Sequence, residues 1–139
     1  MKRRTPVSKI MTKNIIAVNR TDDLETTERL FKRYNIRHIP VVSGNVIVGM
    51  LSYTDLLRIS FADSVNEEEG SVDTVVYNMF SIDQVMTKNV TAVTSETTIK
   101  EVAEILAKEE FHALPVVDNG ELVGIVTTTD LINYLIDQF

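Results

Sequence analysis

A gapless internal duplication is the feature that most limits how this chain can fold. Three short segments return 75 residues later without any shift of register: MTKN at 11–14 and 86–89, PVV at 40–42 and 115–117, and TDL at 54–56 and 129–131. Each copy holds only about 50–60 residues, a size at which a domain is marginal on its own. We therefore expect the copies to fold as one unit, with two similar sites facing each other and the function between the copies.

The composition is typical of an ordinary globular protein. Of the 139 residues, 44% are hydrophobic and 24% are charged. The net charge of −6 gives no general attraction to nucleic acid or to an anionic membrane, so neither partner is expected. The chain has no cysteine, which excludes disulfides and thiolate metal sites. No apolar run approaches the ~20 residues that span a bilayer, so a cytoplasmic location is the default expectation.

Each copy predicts the element order β-α-β-β-α, so the expected fold class is α/β (α+β) with two repeats. Helix starts are marked by Asp22 or Asp23 in the first copy, and by a capping box of Thr98 and Glu101 in the second. Tight turns rich in Gly and Asn separate the last two strands. The other predicted segments are β runs at 15–18 and 90–93, strands at 39–42 and 114–117, return strands at 46–51 and 122–126, and last helices that begin near Thr54 and Thr129.

Residues 61–81 connect the copies and begin with a polar loop. Apolar residues then recur at helical spacing and predict an amphipathic helix over 72–80: Val72, Val75, Val76, Met79 and Phe80. This apolar stripe either covers the edge of its own core or contacts a second subunit or partner. The sequence leaves both readings open.

Two Ser/Thr-x-x-Asp pairs are the main candidate functional residues: Ser52 with Asp55, and Thr127 with Asp130. Each pair lies where a predicted strand ends and a helix begins. Unpaired N–H groups at a helix N-terminus favour a bound phosphate, and a carboxylate there can accept hydrogen bonds from a ribose diol. The same pattern is also an ordinary helix cap. The two roles can coexist in one pair.

Other candidates surround these pairs. Arg37, His38 and His112 precede a strand, where a basic side chain would meet a phosphate or simply be an exposed loop residue. Thr12 and Thr87 would lend a hydroxyl to a pocket wall or form a turn.

Gly49 and Gly124 interrupt two apolar strands that are rich in β-branched residues. A glycine weakens a strand unless something must approach its backbone closely. At these two positions that neighbour is either a ligand ring or the crossing strand of the other copy.

The sequence contains none of the common catalytic motifs. A phosphate-binding P-loop, a G-x-G-x-x-G fingerprint, an H-E-x-x-H zinc motif and a G-x-S-x-G elbow are all missing. Two histidines without cysteine make a poor zinc site, and any Mg²⁺ would arrive on the phosphates of a nucleotide. We therefore expect neither enzyme activity nor a required cofactor.

The repeats resemble the cystathionine-β-synthase (CBS) domain, and the chain resembles a tandem CBS pair, or Bateman module. The resemblance extends over repeat 1 at 7–60 and repeat 2 at 82–138. It is carried by MT at 11–12, HIPVV at 38–42 and GMLSYTDL at 49–56, and by MT at 86–87, ALPVVD at 113–118 and GIVTTTDL at 124–131.

The resemblance implies two β-α-β-β-α units packed through their sheets about a pseudo-twofold axis, with adenosine-containing ligands in two clefts between them. Such ligands include AMP, ADP, ATP and S-adenosylmethionine. It also implies a homodimer and an effector protein that the sequence does not identify. The ligand-binding residues that follow are Thr12, Asn14, Ile15, Arg37, His38, Ser52, Thr54, Asp55, Thr87, Asn89, Val90, His112, Thr127, Thr129 and Asp130.

The two sites are expected to be unequal. The second copy has Glu109 and Glu110 where the first has Tyr34 and Asn35, and carboxylates that face a pocket would repel a polyphosphate. The main hypothesis is a stand-alone regulatory module that senses an adenosine-containing ligand. The alternative is a ligand-free dimerisation scaffold in which the two Ser/Thr-x-x-Asp pairs are only helix caps.

Overall fold

The structure is a computed structural model that describes residues 4–63, 79–109 and 111–139, with only the backbone described for 60–63. The elements, in chain order, are a 3-10 turn Val7–Lys9, β1 Val18–Asn19, α1 Leu24–Tyr34, β2 His38–Ser43, β3 Val46–Ser52, α2 Tyr53–Asp63, α3 Ile82–Val85, α4 Ile99–Lys108, β4 Ala113–Asp118, β5 Glu121–Thr127 and α5 Thr128–Asp137. Most of the predicted 72–80 helix, and Glu110, lie outside the described residues.

The predicted order β-α-β-β-α is confirmed, but the leading β runs are shorter than expected. Only Val18 and Asn19 form a strand in the first copy, and in the second copy Val93 makes an isolated parallel bridge to Val116. The first run ends because the Asn19 side chain accepts a hydrogen bond from the Thr21 backbone N–H at 3.2 Å, which turns the chain towards α1.

The helix starts follow their predicted caps. The Asp23 carboxylate accepts a hydrogen bond from the Thr26 backbone N–H at 2.7 Å. Hydrogen bonding to the Thr26 side chain and, less strongly, to its backbone N–H lowers the pKa of Asp23 below its ordinary value of 3.8. Thr98 and Glu101 form the full capping box. A short helix that the sequence reading missed, α3, begins with another capping box between Ser81 and Gln84.

The chain divides into two compact units that do not coincide with the two sequence copies. The continuous unit comprises Ile16–Asn89, and the split unit comprises Met1–Ile15 together with Val90–Phe139. The N-terminal segment is therefore part of the unit that contains the second β-hairpin. These two names are used below.

The continuous unit is built on a three-stranded sheet in the order β1-β2-β3. β1 pairs parallel with β2, and β2 pairs antiparallel with β3. The tight turn between β2 and β3 has Gly44 at φ 65°, a conformation that glycine adopts without strain. The core of this unit is apolar and includes the fully buried Leu24, Ile39, Leu51, Leu56 and Ile82.

The split unit is built on the antiparallel pair β4-β5. Its hairpin turn has Asn119 at φ 52° and Gly120 at φ 81°, as the Asn-Gly signal predicts. The core includes residues from both parts of the unit, among them Val7, Val102, Leu114, Val116 and Val126. Val7 is 0% exposed, so the N-terminal segment is a structural part of this core.

Candidate functional site

A Met-Thr segment lies along the free edge of each hairpin. In the continuous unit the Thr87 backbone exchanges two hydrogen bonds with Met50, at 2.8 and 3.0 Å. In the split unit Thr12 exchanges the same two bonds with Ile125, at 2.8 and 3.0 Å. The Met-Thr segment of each sequence copy is therefore paired with the hairpin of the other copy.

This exchange explains the two strand glycines. A Cβ atom on Gly49 would meet the Met86 side chain and lie 3.0 Å from the Thr87 carbonyl oxygen. A Cβ atom on Gly124 would lie 3.1 Å from the Thr12 carbonyl oxygen. Of the two explanations offered by the sequence, close approach of the other copy's chain is the one that the structure supports at both positions.

The strand-to-helix turn of the continuous unit contains Ser52 and Asp55. The Ser52 hydroxyl accepts a hydrogen bond from the Asp55 backbone N–H at 3.0 Å, so Ser52 caps α2. The Asp55 carboxylate points instead to Arg58, with its Oδ1 atom 3.3 Å from Nη1. The side chain of Asp55 is 25% exposed and that of Arg58 is 72% exposed. Arg58 is not among the residues predicted from the sequence, although its spacing of three residues from Asp55 on a helix is a local signal for such a pair.

The equivalent turn of the split unit is hydrogen-bonded differently. Thr127 Oγ1 accepts from the Asp130 backbone N–H at 3.2 Å, and Asp130 Oδ2 accepts from the Thr127 backbone N–H at 2.9 Å. This is a complete capping box. Residue 133, which corresponds to Arg58, is Asn. The two turns therefore have the same fold but present their carboxylates differently.

Backbone bonds attach the basic candidates to these turns. The Arg37 carbonyl accepts from the Tyr53 N–H at 2.9 Å, and the His112 carbonyl accepts from the Thr128 N–H at 3.0 Å. The side chains of Arg37 and His112 are exposed. His38 is half-buried and lies opposite Ser52 in the β2–β3 register.

The structure regroups the predicted site residues. The continuous unit contains Arg37, His38, Ser52, Thr54, Asp55, Thr87 and Asn89. The split unit contains Thr12, Asn14, Ile15, Val90, His112, Thr127, Thr129 and Asp130. Thr12 thus belongs with Thr127 rather than with Ser52, because the β5 edge supplies the backbone partners that Thr12 uses.

The described parts of the chain show neither a metal-binding cluster nor a membrane-spanning helix. Within residues 4–63, 79–109 and 111–139, no group of three or more His, Cys, Asp or Glu side chains is arranged to hold a metal ion. No helix in these same ranges is both long and apolar enough to cross a bilayer.

Comparison with known proteins supports the family resemblance. Residues 7–62 and 82–137 each match the CBS domain. An inosine-5'-monophosphate dehydrogenase of Korarchaeum cryptofilum is 32% identical over 120 residues, which cover 86% of this chain and 22% of that protein. The chain spans between 22% and 45% of the length of four such curated relatives.

Solved structures show the same fold. A putative acetoin utilization protein (AcuB) from Vibrio cholerae is 29% identical, with a TM-score of 0.80 and coverage of 96% of this chain and 91% of that one. CBSX2, solved in complex with AMP, is 21% identical with a TM-score of 0.79 and coverage of 96% and 98%. At that identity, the likeness to CBSX2 shows the fold alone.

Proposed function

The chain belongs to the CBS domain family, and we propose that it is a regulatory module that binds an adenosine-containing ligand. The observation that carries this proposal is the pair of equivalent strand-to-helix turns, each with a half-buried aspartate beside a hydroxyl cap. The AMP complex of CBSX2, which has the same fold, supports the class of ligand. AMP, ADP, ATP and S-adenosylmethionine are the candidates.

Asp55 and Asp130 would hold the ribose. Each carboxylate uses one oxygen in the contacts described above: Oδ1 of Asp55 with Arg58, and Oδ2 of Asp130 with Thr127. The other oxygen is the acceptor for a ribose hydroxyl. A hydrogen bond to a charged acceptor is worth about 1.5–3 kcal/mol, enough to make these aspartates important for affinity.

The remaining candidates would line the same ligand sites. Thr87 and Asn89 would line the site beside Asp55. Thr12 and Asn14 would line the site beside Asp130. Exposed basic groups would meet the phosphates, and Mg²⁺ would be bound only as the counterion of a polyphosphate. The module itself would carry out no chemistry, and its signal would pass to a partner protein.

A homodimer is part of the proposal. Helix α5 exposes several large apolar side chains at helical spacing: Ile132 at 56%, Leu135 at 44%, Ile136 at 61% and, just beyond its end, Phe139 at 98%. A second copy of the chain would cover such a face. Light scattering of the wild type and of Ile136→Glu tests this. We expect the variant to have half the molar mass of the wild type.

The ligand-free scaffold is the second candidate function. It is favoured by one observation, namely that both Ser/Thr-x-x-Asp pairs already act as helix caps without a ligand. In that case substitutions in these pairs change stability alone.

Thermal unfolding against a ligand panel separates the two functions. The panel is AMP, ADP, ATP with Mg²⁺, S-adenosylmethionine and NAD⁺, with GTP as the control. A ligand at 100 times its dissociation constant stabilises the folded state by about 2.7 kcal/mol, which raises the midpoint by several degrees. A shift confined to adenosine-containing ligands supports the sensor, and the absence of any shift at millimolar concentration supports the scaffold.

A further inference from the structure

The two strand-to-helix turns differ in charge at equivalent positions. Three positions in the continuous unit carry a basic or imidazole side chain, and the residues 75 positions later are less basic: Arg37 corresponds to His112, His38 to Ala113, and Arg58 to Asn133. The aspartate itself is the same in both turns. The fold is thus repeated while the charge around it is not.

All three basic positions adjoin the turn of the continuous unit. Arg58 contacts the Asp55 carboxylate at 3.3 Å. Arg37 bonds to the first residue of α2 through its carbonyl, and His38 lies opposite Ser52. Two arginines and one histidine therefore occupy positions in or beside a turn that contains one aspartate, so basic residues outnumber acidic ones at these positions.

The turn of the split unit has fewer basic side chains at the equivalent positions. Ala113 lies opposite Thr127, and Asn133 carries no charge. The counterpart of Arg37 is His112, whose imidazole lacks the permanent charge and the paired N–H donors of a guanidinium. Glu109, an exposed residue at the end of α4, adds a further acid where the first copy has Tyr34. Asp130 therefore has no arginine at the positions equivalent to Arg37 and Arg58.

This difference matters for a phosphorylated ligand. A phosphate monoester carries about −1.5 to −2 charges at neutral pH, and guanidinium groups bind it through paired N–H donors. The side chains of Arg37 and Arg58 are exposed, so their guanidinium groups can turn towards a ligand. The ion pair between Arg58 and Asp55 is a weak surface pair, so Arg58 can leave the carboxylate to the ribose and move to the phosphate.

We infer that the turn of the continuous unit selects a phosphorylated adenosine ligand, whereas the turn of the split unit prefers an unphosphorylated one. This inference rests on the proposed function, because it assigns a ligand class to each of the two proposed sites. The different hydrogen bonding of the Asp55 and Asp130 carboxylates favours the same assignment of ligands. In the split unit a ribose must share Asp130 with the Thr127 N–H, while in the continuous unit the Asp55 carboxylate contacts the Arg58 side chain, which a phosphate attracts.

Amide NMR spectra of the whole chain, titrated with AMP and with adenosine, test the inference at each turn separately. We expect AMP to shift the Asp55 and Leu56 amides at concentrations about tenfold lower than those of Asp130 and Leu131. Adenosine should shift the Asp130 and Leu131 amides at least as readily as those of the continuous unit. Since exposed charge contacts are worth up to about fivefold each, two arginines suffice for such a preference.

Exchanging residues between the copies is the sharper arm of the experiment. The double substitution Arg37→His with Arg58→Asn should weaken AMP binding at the Asp55 turn about tenfold and change adenosine binding there less than twofold. Asn133→Arg should strengthen AMP binding at the Asp130 turn. The matched control is Arg29→Asn, which removes one positive charge from an exposed position on α1 and should change neither ligand's affinity.

Three results would overturn the inference. Equal affinities of AMP and adenosine at the Asp55 turn would do so, as would AMP binding that survives the double substitution, while the proposed function would stand in both cases. If neither ligand shifts any amide at either turn in the wild type, the proposed function fails and the inference fails with it. Because both arginine side chains are exposed, the variants are expected to fold, and their dispersed amide spectra verify this.

Discussion

The Thr87 backbone pairs with that of Met50 across 37 residues of sequence, through reciprocal hydrogen bonds of 2.8 and 3.0 Å. The equivalent pair in the other unit is Thr12 with Ile125. A duplicated chain would form the same pairs within each copy if the copies were independent domains. The exchange instead makes each hairpin depend on a segment from the other copy, so each unit contains residues of both copies.

The first prediction concerns this exchange. Val7 and Ile82 occupy equivalent positions and are both 0% exposed. Val7→Ala removes buried methyl groups from the split unit and should cost about 1–3 kcal/mol of unfolding free energy. Native-state hydrogen exchange should show a larger loss of amide protection at Val126 in the split unit than at Leu51 in the continuous unit.

The matched variant Ile82→Ala should give the reverse pattern, with Leu51 losing more protection than Val126. Equal losses at both hairpins in both variants would show that the units unfold only together. A larger loss at Leu51 than at Val126 in Val7→Ala would contradict the assignment of the N-terminal segment to the split unit.

The second prediction concerns the strand glycines. Gly49→Ala places a methyl group against Met86 and 3.0 Å from the Thr87 carbonyl oxygen. Overpacking of this kind costs about 1–3 kcal/mol, which urea unfolding would measure. Val46→Ala, at a site on the same strand that is 53% exposed, is the control and should cost less than half as much. A Gly49→Ala variant as stable as the wild type would show that the Met-Thr segment does not press on this strand.

The third prediction concerns the pH dependence of the stabilisation by Asp23. Hydrogen bonds from Thr26 lower the pKa of Asp23 in the folded state, so the folded state favours the ionised carboxylate. The stabilisation is therefore complete above the unfolded pKa and is lost as the pH falls through the lower folded pKa. Asp23→Ala should cost about 1 kcal/mol near neutral pH.

The difference between the wild type and Asp23→Ala should shrink towards zero in strong acid, as measured by urea unfolding at several pH values. Glu25→Gln, in the same first turn but not the cap residue, should show a smaller difference. A constant difference over the whole pH range would show that the Asp23 charge is not what stabilises α1.

The fourth prediction separates the two aspartates by stability. Asp130→Ala removes a hydrogen bond to the Thr127 N–H and should cost about 1 kcal/mol. Asp55→Ala removes only an exposed ion pair with Arg58 and should cost less than about 0.5 kcal/mol. Thermal or urea unfolding without ligand measures both. Equal costs would contradict the different bonding of the two turns.

Local chemistry explains which parts of the structure could be predicted from the sequence. The caps at Asp23 and Thr98 and the Asn119–Gly120 turn depend on residues within three positions of one another, so their patterns are visible in the sequence. The pairing of Thr12 with Ile125 involves backbone groups far apart along the chain, and any residue could supply them. No sequence pattern therefore marks the exchange, and the sequence does not show which Met-Thr segment accompanies which Ser/Thr-x-x-Asp pair.

The candidate site also has features that the sequence predicts and features that it does not. Ser52 and Asp55 were identified because a hydroxyl and an acid three residues apart at a helix start form a local signal. The sequence does not decide whether each carboxylate turns to a backbone N–H or to a neighbouring side chain, since both lie within three residues of it. That Arg58 contact was within reach of the helix spacing rule.

Calorimetric titration of AMP into the wild type, Asp55→Ala and Asp130→Ala tests the central claim most directly, with Glu25→Ala as the control for a lost surface charge. If the carboxylates hold the ribose, Asp55→Ala should weaken binding about ten- to hundredfold, the effect of losing about 1.5–3 kcal/mol, while Glu25→Ala binds like the wild type. AMP affinities that are unchanged in both aspartate variants would contradict the account.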